Sequence, residues 1–391
     1  MAKKTYKIKI EPLTGVHIGT GEELTFLDYK VIKTDSGNKV YVKFSSDQIL
    51  SRLIDENRDL SAFYTTSDNR DMKAVQNFFH KNIGKTDIEY PCDVTSSFYD
   101  LYEKNKTRDP IENAAKVLQM YRPSNSKRPV IPGSSLKGAI RTAVLNNILC
   151  KLSNDEYDRE LDIFEKEKNK NNSDRYEKKL QQKILKYGNE KDDPFRTISI
   201  ADTSFKDKNT QLVGLLKNIS SSNNVIRSIP KLQIQAEIIR GCLIRGSAEA
   251  ETIISIDESL QQSKLTGNNN KNGFEIKTHI SMEDIAEACN HFFWNEFESE
   301  YNTFYKDIDE NVDVIASLKK DIESTIKSTD SFIVRVGRWS QVEFVTFEDN
   351  FRDPKVPQTR GQKRSCGTTR TVFDYDGQYI PLGWCKCTII S

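Results

Sequence analysis

The sequence predicts an α+β fold organised on a split βαβ, ferredoxin-like sheet, formed once or twice. Three observations predict it. Strand-period alternation opens the chain; two long helices have clear start signals near Ser135 and Ser281; and strand-like segments lie between and after those helices without strict alternation of strand and helix.

Tyr6, Ile8 and Ile10 alternate with Lys7, Lys9 and Glu11, the pattern of a half-buried strand. It runs into Pro12 to Gly21, where Gly15, Gly19 and Gly21 suggest a bulged turn with exposed backbone. Phe26 to Lys33 and Lys39 to Phe44, joined through Asp35-Ser36-Gly37-Asn38, form a hairpin pattern. Asp47 to Arg122 is mixed and polar, with helical stretches and no motif. Lys151 to Lys191 is dominated by Lys, Glu, Asp and Asn, with Leu161, Phe164, Tyr176 and Leu180 spaced for a partly buried helical insertion. Phe195 to Ala201 is strand-like. Gln211 to Asn224 has no assigned element and ends in a Ser/Asn run expected to be mobile. Leu232 to Ile238 and Cys242 to Ile256 are expected to be two antiparallel strands. Ser281 and Asp284 make a capping box before an apolar stripe through Ile285, Ala288, Phe292 and Phe293. A further helix is expected over Asn311 to Lys327, then a strand at Phe332 to Val336 and another running through Phe347. A polar, basic loop, expected to be poorly ordered, follows from Glu348 to Arg370, and a closing strand is expected from Tyr379 to Ile389.

The stretch from Ile131 to Arg141 carries the strongest local signal. A Pro-Gly turn feeds Ser134 and Ser135, and Leu136, Ile140, Val144 and Ile148 repeat every four residues, so a helix should begin near Ser135. The first turns of a helix favour acidic side chains, because the N-terminus carries partial positive charge and unpaired N–H donors. Here they hold Lys137 and Arg141, and no acidic residue lies between Tyr121 and Asn154. Free N–H groups, two hydroxyls, backbone kept accessible by Gly133 and Gly138, and two cations describe a phosphate seat. An ordinary capped helix with solvated basic residues is the plainer alternative.

The chain of 391 residues is 36% apolar and 29% charged, which fits folded cores decorated by polar insertions. A net charge of +1 excludes a globally basic nucleic-acid binder, but the charge is segregated: Arg122 to Arg141 holds basic residues and no acid, and Arg352 to Arg370 holds one acid, Asp353. Seven scattered cysteines do not make a disulfide framework, and no apolar run is long enough to span a membrane. A reducing cytoplasm is the expected location, with no membrane partner.

Ser134-x-x-Lys137 matches the nucleophile motif of penicillin-recognising enzymes, but Ser67-Asp68-Asn69 precedes it in the wrong order and Lys-Thr-Gly is absent. No P-loop follows Gly133. His17, among the glycines of the first turn, could act as a general base toward a ribose hydroxyl, although a lone histidine is more often structural. Cys289, Cys366, Cys385 and Cys387 have no zinc-site spacing, and no metal or cofactor is expected. More specific are the basic, glycine-punctuated loops. Arg335, Arg338 and Trp339 join cations to an aromatic plane, which suits phosphates with a stacked base, a core tryptophan beside surface arginines being the plainer alternative. Arg360, Arg364 and Arg370 lie in a loop where Gly and Thr let an RNA strand approach closely.

Together, Leu13-Thr14-x-x-His17-Ile18-Gly19-Thr20-Gly21, Pro132-Gly133-Ser134-Ser135-x-Lys137-Gly138-x-x-Arg141 and Ser199-Ile200-Ala201-Asp202-Thr203-Ser204 resemble the RAMP proteins of type III CRISPR systems. The resemblance spans the chain, thinly through Ser45 to Met120 and Lys151 to Lys191. Glu237-x-x-Arg240, Gly337-Arg338-Trp339-Ser340-Gln341-Val342-Glu343 and Pro381-Leu382-Gly383-Trp384 are similar to the fifth-subunit family of type III-A Csm complexes. The late loop departs from that family's usual Gly-x-Gly-Ser-Gly.

The resemblance implies two modified RRM-like units: residues 1–204, with insertions at about 46–120 and 151–191, and residues 205–391, with the basic loop at about 348–370. It implies a non-catalytic, crRNA-binding subunit that caps the backbone filament at the crRNA 3′ end and supports crRNA maturation and assembly. The implied partners are crRNA, target RNA, neighbouring Csm backbone and small subunits, and host nucleases that trim the crRNA 3′ end. Together with the basic loops read above, the expected RNA-binding residues are Gly15, His17, Gly19, Gly21, Gly133, Ser134, Ser135, Lys137, Arg141, Arg240, Arg335, Arg338, Trp339, Arg360, Arg364 and Arg370. A metal-independent CRISPR endoribonuclease using His17, or a different type III RAMP subunit, remain the alternatives. The backbone subunit's cleaving aspartate has no match, since Asp28 lies at a different spacing.

Overall fold

The computed structural model describes all residues except 1–2, 111–114, 171–172, 206–210, 221–225, 228–233, 247, 263, 266–273, 307–311, 353–366 and 368. Its first sheet has five strands in the order Ser331–Arg335, Trp384–Ile389, Lys3–Pro12, Ala250–Asp257 and Ile198–Ile200, with every neighbouring pair antiparallel. The chain enters it as strand (Lys3–Pro12), helix (Gly133–Cys150), strands (Ile198–Ile200, Ala250–Asp257) and helix (Met282–Glu300). That is the split βαβ order expected of a ferredoxin-like or RRM-like unit. Ser331–Arg335, which the chain reaches only after a further helix at Val312–Ile326, becomes the outer edge, and the C-terminal strand takes the place beside Lys3–Pro12.

The alternation at the chain start is borne out: Ile8 and Ile10 are buried under the two helices with Leu136, Ile140, Val144, Ile254, Phe293, Phe332 and Val334. Burying such side chains contributes about 1.5–3 kcal/mol each, which is why the stripes of both helices face this sheet. The capping box at Ser281 forms, with Asp284 N–H donating to the Ser281 hydroxyl and Ser281 N–H to the Asp284 carboxylate. The insertion after Lys151 is helical, Asn154–Asn169 and Ser173–Ile184, and buries Phe164, Tyr176 and Leu180.

A larger sheet runs Gly19–Leu24, Val117–Met120, Ile234–Ile239, Gln211–Ser220, Ile88–Val94, Lys39–Phe44 and Tyr29–Lys33, and Thr369–Tyr375 also pairs with Gln211–Ser220. The expected hairpin is its last pair, Tyr29–Lys33 with Lys39–Phe44.

Three expectations are corrected here. Gln211–Ser220, without an expected element, is an internal strand; its Leu, Val and Gly run lacks alternation because both faces are covered. Gly214 is needed there, since a side chain would overlap the Phe373 ring. The two segments expected to pair with each other go to different sheets: Ile234–Ile239 to the larger and Ala250–Asp257 to the first. Gly241 explains the divergence, because it passes so close to Leu13 and Thr14 that a Cβ would lie 2.5 Å from their backbone atoms. The strand expected to run through Phe347 is instead a short helical turn at Val342–Phe344. Among the described residues, no helix is long and apolar enough to cross a membrane.

Candidate nucleic-acid interface

A groove of about 680 Å³ lies where the two sheets meet. Three segments far apart in sequence wall it: Ile18 to Gly21, the helix face of Ser134, Ser135, Gly138, Ala139 and Thr142, and residues of the stretch from Arg335 to Val345, Arg335 itself included. The first reaches it because the chain leaves the five-stranded sheet at Pro12, exchanges backbone hydrogen bonds between Val16 and Ile239, and enters the larger sheet at Gly19. The third is drawn in by Gly337, at φ +102, which crosses so close to His17 that a Cβ would lie 2.6 Å from its carbonyl oxygen. The Arg338 N–H then donates to that oxygen at 3.0 Å.

The lining is neutral apart from arginine. It offers the hydroxyls of Thr20, Ser134, Ser135 and Thr142, exposed backbone at Gly19, Gly21 and Gly138, and the exposed Arg338 side chain. Among the described residues, Arg338 has no ion pair and no carboxylate lines the groove. Nothing lies within 4 Å of where a Cβ at Gly138 would stand, so the floor is open at that point. Hydroxyls, backbone donors and one guanidinium suit the sugar-phosphate backbone of a single strand. By contrast, the sheet face opposite the helices carries charge-balanced pairs, Lys7 with Glu251 and Lys9 with Glu11 and Glu249, and no aromatic platform for stacking bases.

The helix begins at Gly133, two residues before the expected start, with Pro132 at its cap. Its misplaced charges are answered from the Ser199–Ser204 neighbourhood. Asp202 accepts from the Gly133 N–H at 2.7 Å, and Asp193 pairs with Arg141 at 2.9 Å. Arg141 also donates to the Tyr187 hydroxyl and lies over the Phe195 ring, while Lys137 donates to the Ile198 carbonyl at 2.7 Å. Partial burial pushes the Lys137 ammonium below its ordinary pKa. Both cations therefore brace the segment from Asp193 to Ile198 and do not line the groove. Ser134 and Ser135 do line it, and Gly133 is buried where a side chain would overlap the Ile200 carbonyl.

His17, expected to be exposed, is 1% exposed. Its Nδ1 bonds the Glu237 carbonyl at 2.7 Å, its ring lies 4.8 Å from the ring of Trp339, and burial lowers its pKa, so the neutral form is favoured. An imidazole so enclosed cannot reach a ribose hydroxyl. Glu237 itself is fully buried, accepting from the Met120 N–H at 2.9 Å and the Tyr90 hydroxyl at 3.0 Å and pairing with Arg122, whose guanidinium covers the Tyr90 ring. Gly15 is likewise internal, and a Cβ there would lie 2.6 Å from the Ile238 Cδ1.

Most of the other expected arginines are structural. The Arg335 side chain is fully buried, pairs with Glu300 at 2.8 Å and lies over Phe344 and Trp384. Arg370 joins the same cluster, bonding Glu300 at 2.7 Å and Glu343 at 2.9 Å. Arg240 pairs with Asp93 at 2.6 Å. Trp339 is half-buried against His17, and Arg360 and Arg364 lie outside the described residues. Buried arginines are retained only where carboxylates meet them, and those carboxylates lie far away in sequence. The groove residues not singled out from the sequence, Thr20 and Thr142 among them, had a readable signal: Thr142 recurs four residues after Gly138, which the sequence did single out, and eight after Ser134 on one helix face. Among the described residues, no group of His, Cys, Asp and Glu could hold a metal ion.

The RAMP superfamily model matches residues 9–355. A curated relative, the CRISPR system Cms protein Csm5 of Streptococcus thermophilus, is 29% identical over 241 residues; the match spans 58% of this chain and 59% of the relative. Among solved structures, a chain of a Csm-crRNA-target RNA ternary complex of a type III-A CRISPR-Cas system superposes with a TM-score of 0.64 at 17% identity, covering 98% of this chain and 99% of the other. Csm5 of T. onnurineus superposes with a TM-score of 0.59 at 17% identity, covering 96% and 99%.

Proposed function

Because the chain belongs to the RAMP superfamily, we propose that it is the crRNA-binding subunit that caps the backbone filament of a type III-A interference complex at the crRNA 3′ end. In this reading it supports crRNA maturation and assembly and has no catalytic role. Its neighbours are Csm backbone and small subunits, and it lies close to target RNA. The observation that carries the reading is the groove in which the glycine turn, the Gly133–Cys150 helix and the Gly337 loop meet with hydroxyls, bare backbone and Arg338 but, among the described residues, no carboxylate. The similarity to Csm5 and to a chain of a crRNA-bound Csm complex supports the choice of subunit. His17, sealed between Glu237 and Trp339, gives the endoribonuclease alternative no support.

The test measures single-stranded guide RNA binding across salt for wild type and Arg338→Ala. Removing one phosphate contact should flatten the log–log salt slope by about 0.7 and weaken binding without changing thermal stability. An unchanged slope and affinity would remove the groove from the RNA path. Placing the subunit at the 5′ end of the guide in a reconstituted complex would overturn the capping role.

A further inference from the structure

A second cavity, of about 350 Å³, opens on the other side of the Gly133–Cys150 helix. Its aliphatic floor is Val144, Ile148, Ile184, Ile280 and Ala288, and its rim carries Lys151, Lys186, Lys277, His279 and Asp284. Lys151 is paired with Glu287 and Asp284 accepts from the Ser281 N–H, whereas Lys186 and Lys277 are exposed and have no ion pair among the described residues. Lys186 sits in the left-handed conformation, φ 55, just past the end of the Ser173–Ile184 helix, a position that usually takes glycine. Asn147, only 8% exposed, lines the cavity, and its side chain has no hydrogen-bond partner among the described residues. A carboxamide can donate to and accept from a peptide group at once.

We propose that this cavity docks a segment of a partner protein in which an aliphatic side chain is flanked by Asp or Glu. The aliphatic side chain fills the floor, Asn147 pairs with the segment's backbone, and Lys186 and Lys277 meet its carboxylates. RNA is the poorer occupant: no aromatic ring but His279 on the rim is available for stacking, and the cavity and the groove use opposite faces of one helix. The proposal does not rest on the function of the groove.

The probe is a synthetic peptide, Glu-Asp-Leu-Asp-Glu in sequence, titrated into full-length protein with labelled isoleucine methyl groups. Saturable shifts are expected at Ile148, Ile184 and Ile280. Binding should weaken at least tenfold in Lys186→Glu/Lys277→Glu and when the peptide's leucine is replaced by asparagine. Methyl shifts absent in the wild type, or binding indifferent to the leucine, would overturn the proposal without needing the variant. A single-stranded RNA oligonucleotide that shifts the same methyl groups more tightly than the peptide would also overturn it. The groove proposal would be untouched by any of these results.

Discussion

Substitution of Gly138 should move stability and RNA binding in opposite directions. The residue lies inside the Gly133–Cys150 helix, yet a Cβ there would meet nothing within 4 Å, because the position opens onto the groove. Alanine should therefore stabilise the fold by roughly 0.5–1 kcal/mol, the ordinary helix preference over glycine. For a chain of 391 residues, unfolding entropy of about 2.1 cal/mol/K per residue turns that into a rise of about 1 °C in Tm. Glutamate at the same site is also a good helix former and sits near the favourable end of the helix dipole. In the groove, however, it would place a carboxylate against the RNA backbone. At about 6 Å from one phosphate, the repulsion is about 0.7 kcal/mol in bulk water and about 2.8 kcal/mol at an effective dielectric near 20. Binding should therefore weaken by about 3-fold to about 100-fold, most at low salt. Scanning calorimetry and filter binding on the two variants check both signs. A folded Gly138→Glu protein with wild-type RNA affinity would refute the groove as the RNA path, and a destabilised Gly138→Ala protein would refute the open floor.

Lys137→Ala/Arg141→Ala, which the sequence alone casts as a binding mutant, should mainly loosen the Asp193 to Ile198 segment: a loss of about 1–2 kcal/mol in urea denaturation, with RNA affinity less affected than in Arg338→Ala. Glu300→Gln should cost about 3–5 kcal/mol by the same measurement, since it leaves the Arg335 and Arg370 guanidinium groups buried without their shared carboxylate. His80 is held neutral by burial at a pKa of about 4, with Nε2 against the Phe26 and Tyr29 carbonyls. The unfolded chain binds that proton near pH 6.5, so stability is full above that pH and falls between about 6.5 and 4, by up to about 3 kcal/mol. A His80→Gln variant should show a flatter stability profile over that window; an unchanged profile would remove His80 as its source.

What the sequence disclosed and what it hid divide along one physical line. Features held by neighbours in sequence were legible: the alternation of Tyr6 to Ile10, the stripe from Leu136 to Ile148, the capping box at Ser281 and the hairpin around Gly37. So were the glycine turn, the helix start and the Gly337 loop as separate segments, because each is marked by residues adjacent in sequence. Features set by distant partners were not legible. Nothing near Arg335 or Arg370 signals that Glu300 will take both, and nothing near Arg141 announces Asp193. The strand Gln211–Ser220 was hidden for a related reason: covered on both faces, it has no periodic contrast to display.

The same division explains how a protein of almost neutral net charge can present a groove with no carboxylate among its described lining residues. Long charged side chains close to the groove are the ones most readily drawn into the frame, because burying an arginine beside a carboxylate fixes two loops at once. Glu300 ties the start of the Gly337 loop to the Thr369–Tyr375 strand through Arg335 and Arg370, and Glu237 ties Met120 to Tyr90 and Arg122. What remains on the groove surface is short or has no side chain at all: Thr20, Gly21, Ser134, Gly138 and Thr142, with Arg338 as its exposed cation. If the groove is the RNA path proposed above, such a surface binds a strand by letting its backbone come close, and its affinity should respond more to a methyl or a carboxylate added at Gly138 than to the loss of Lys137 or Arg141 on the helix flank.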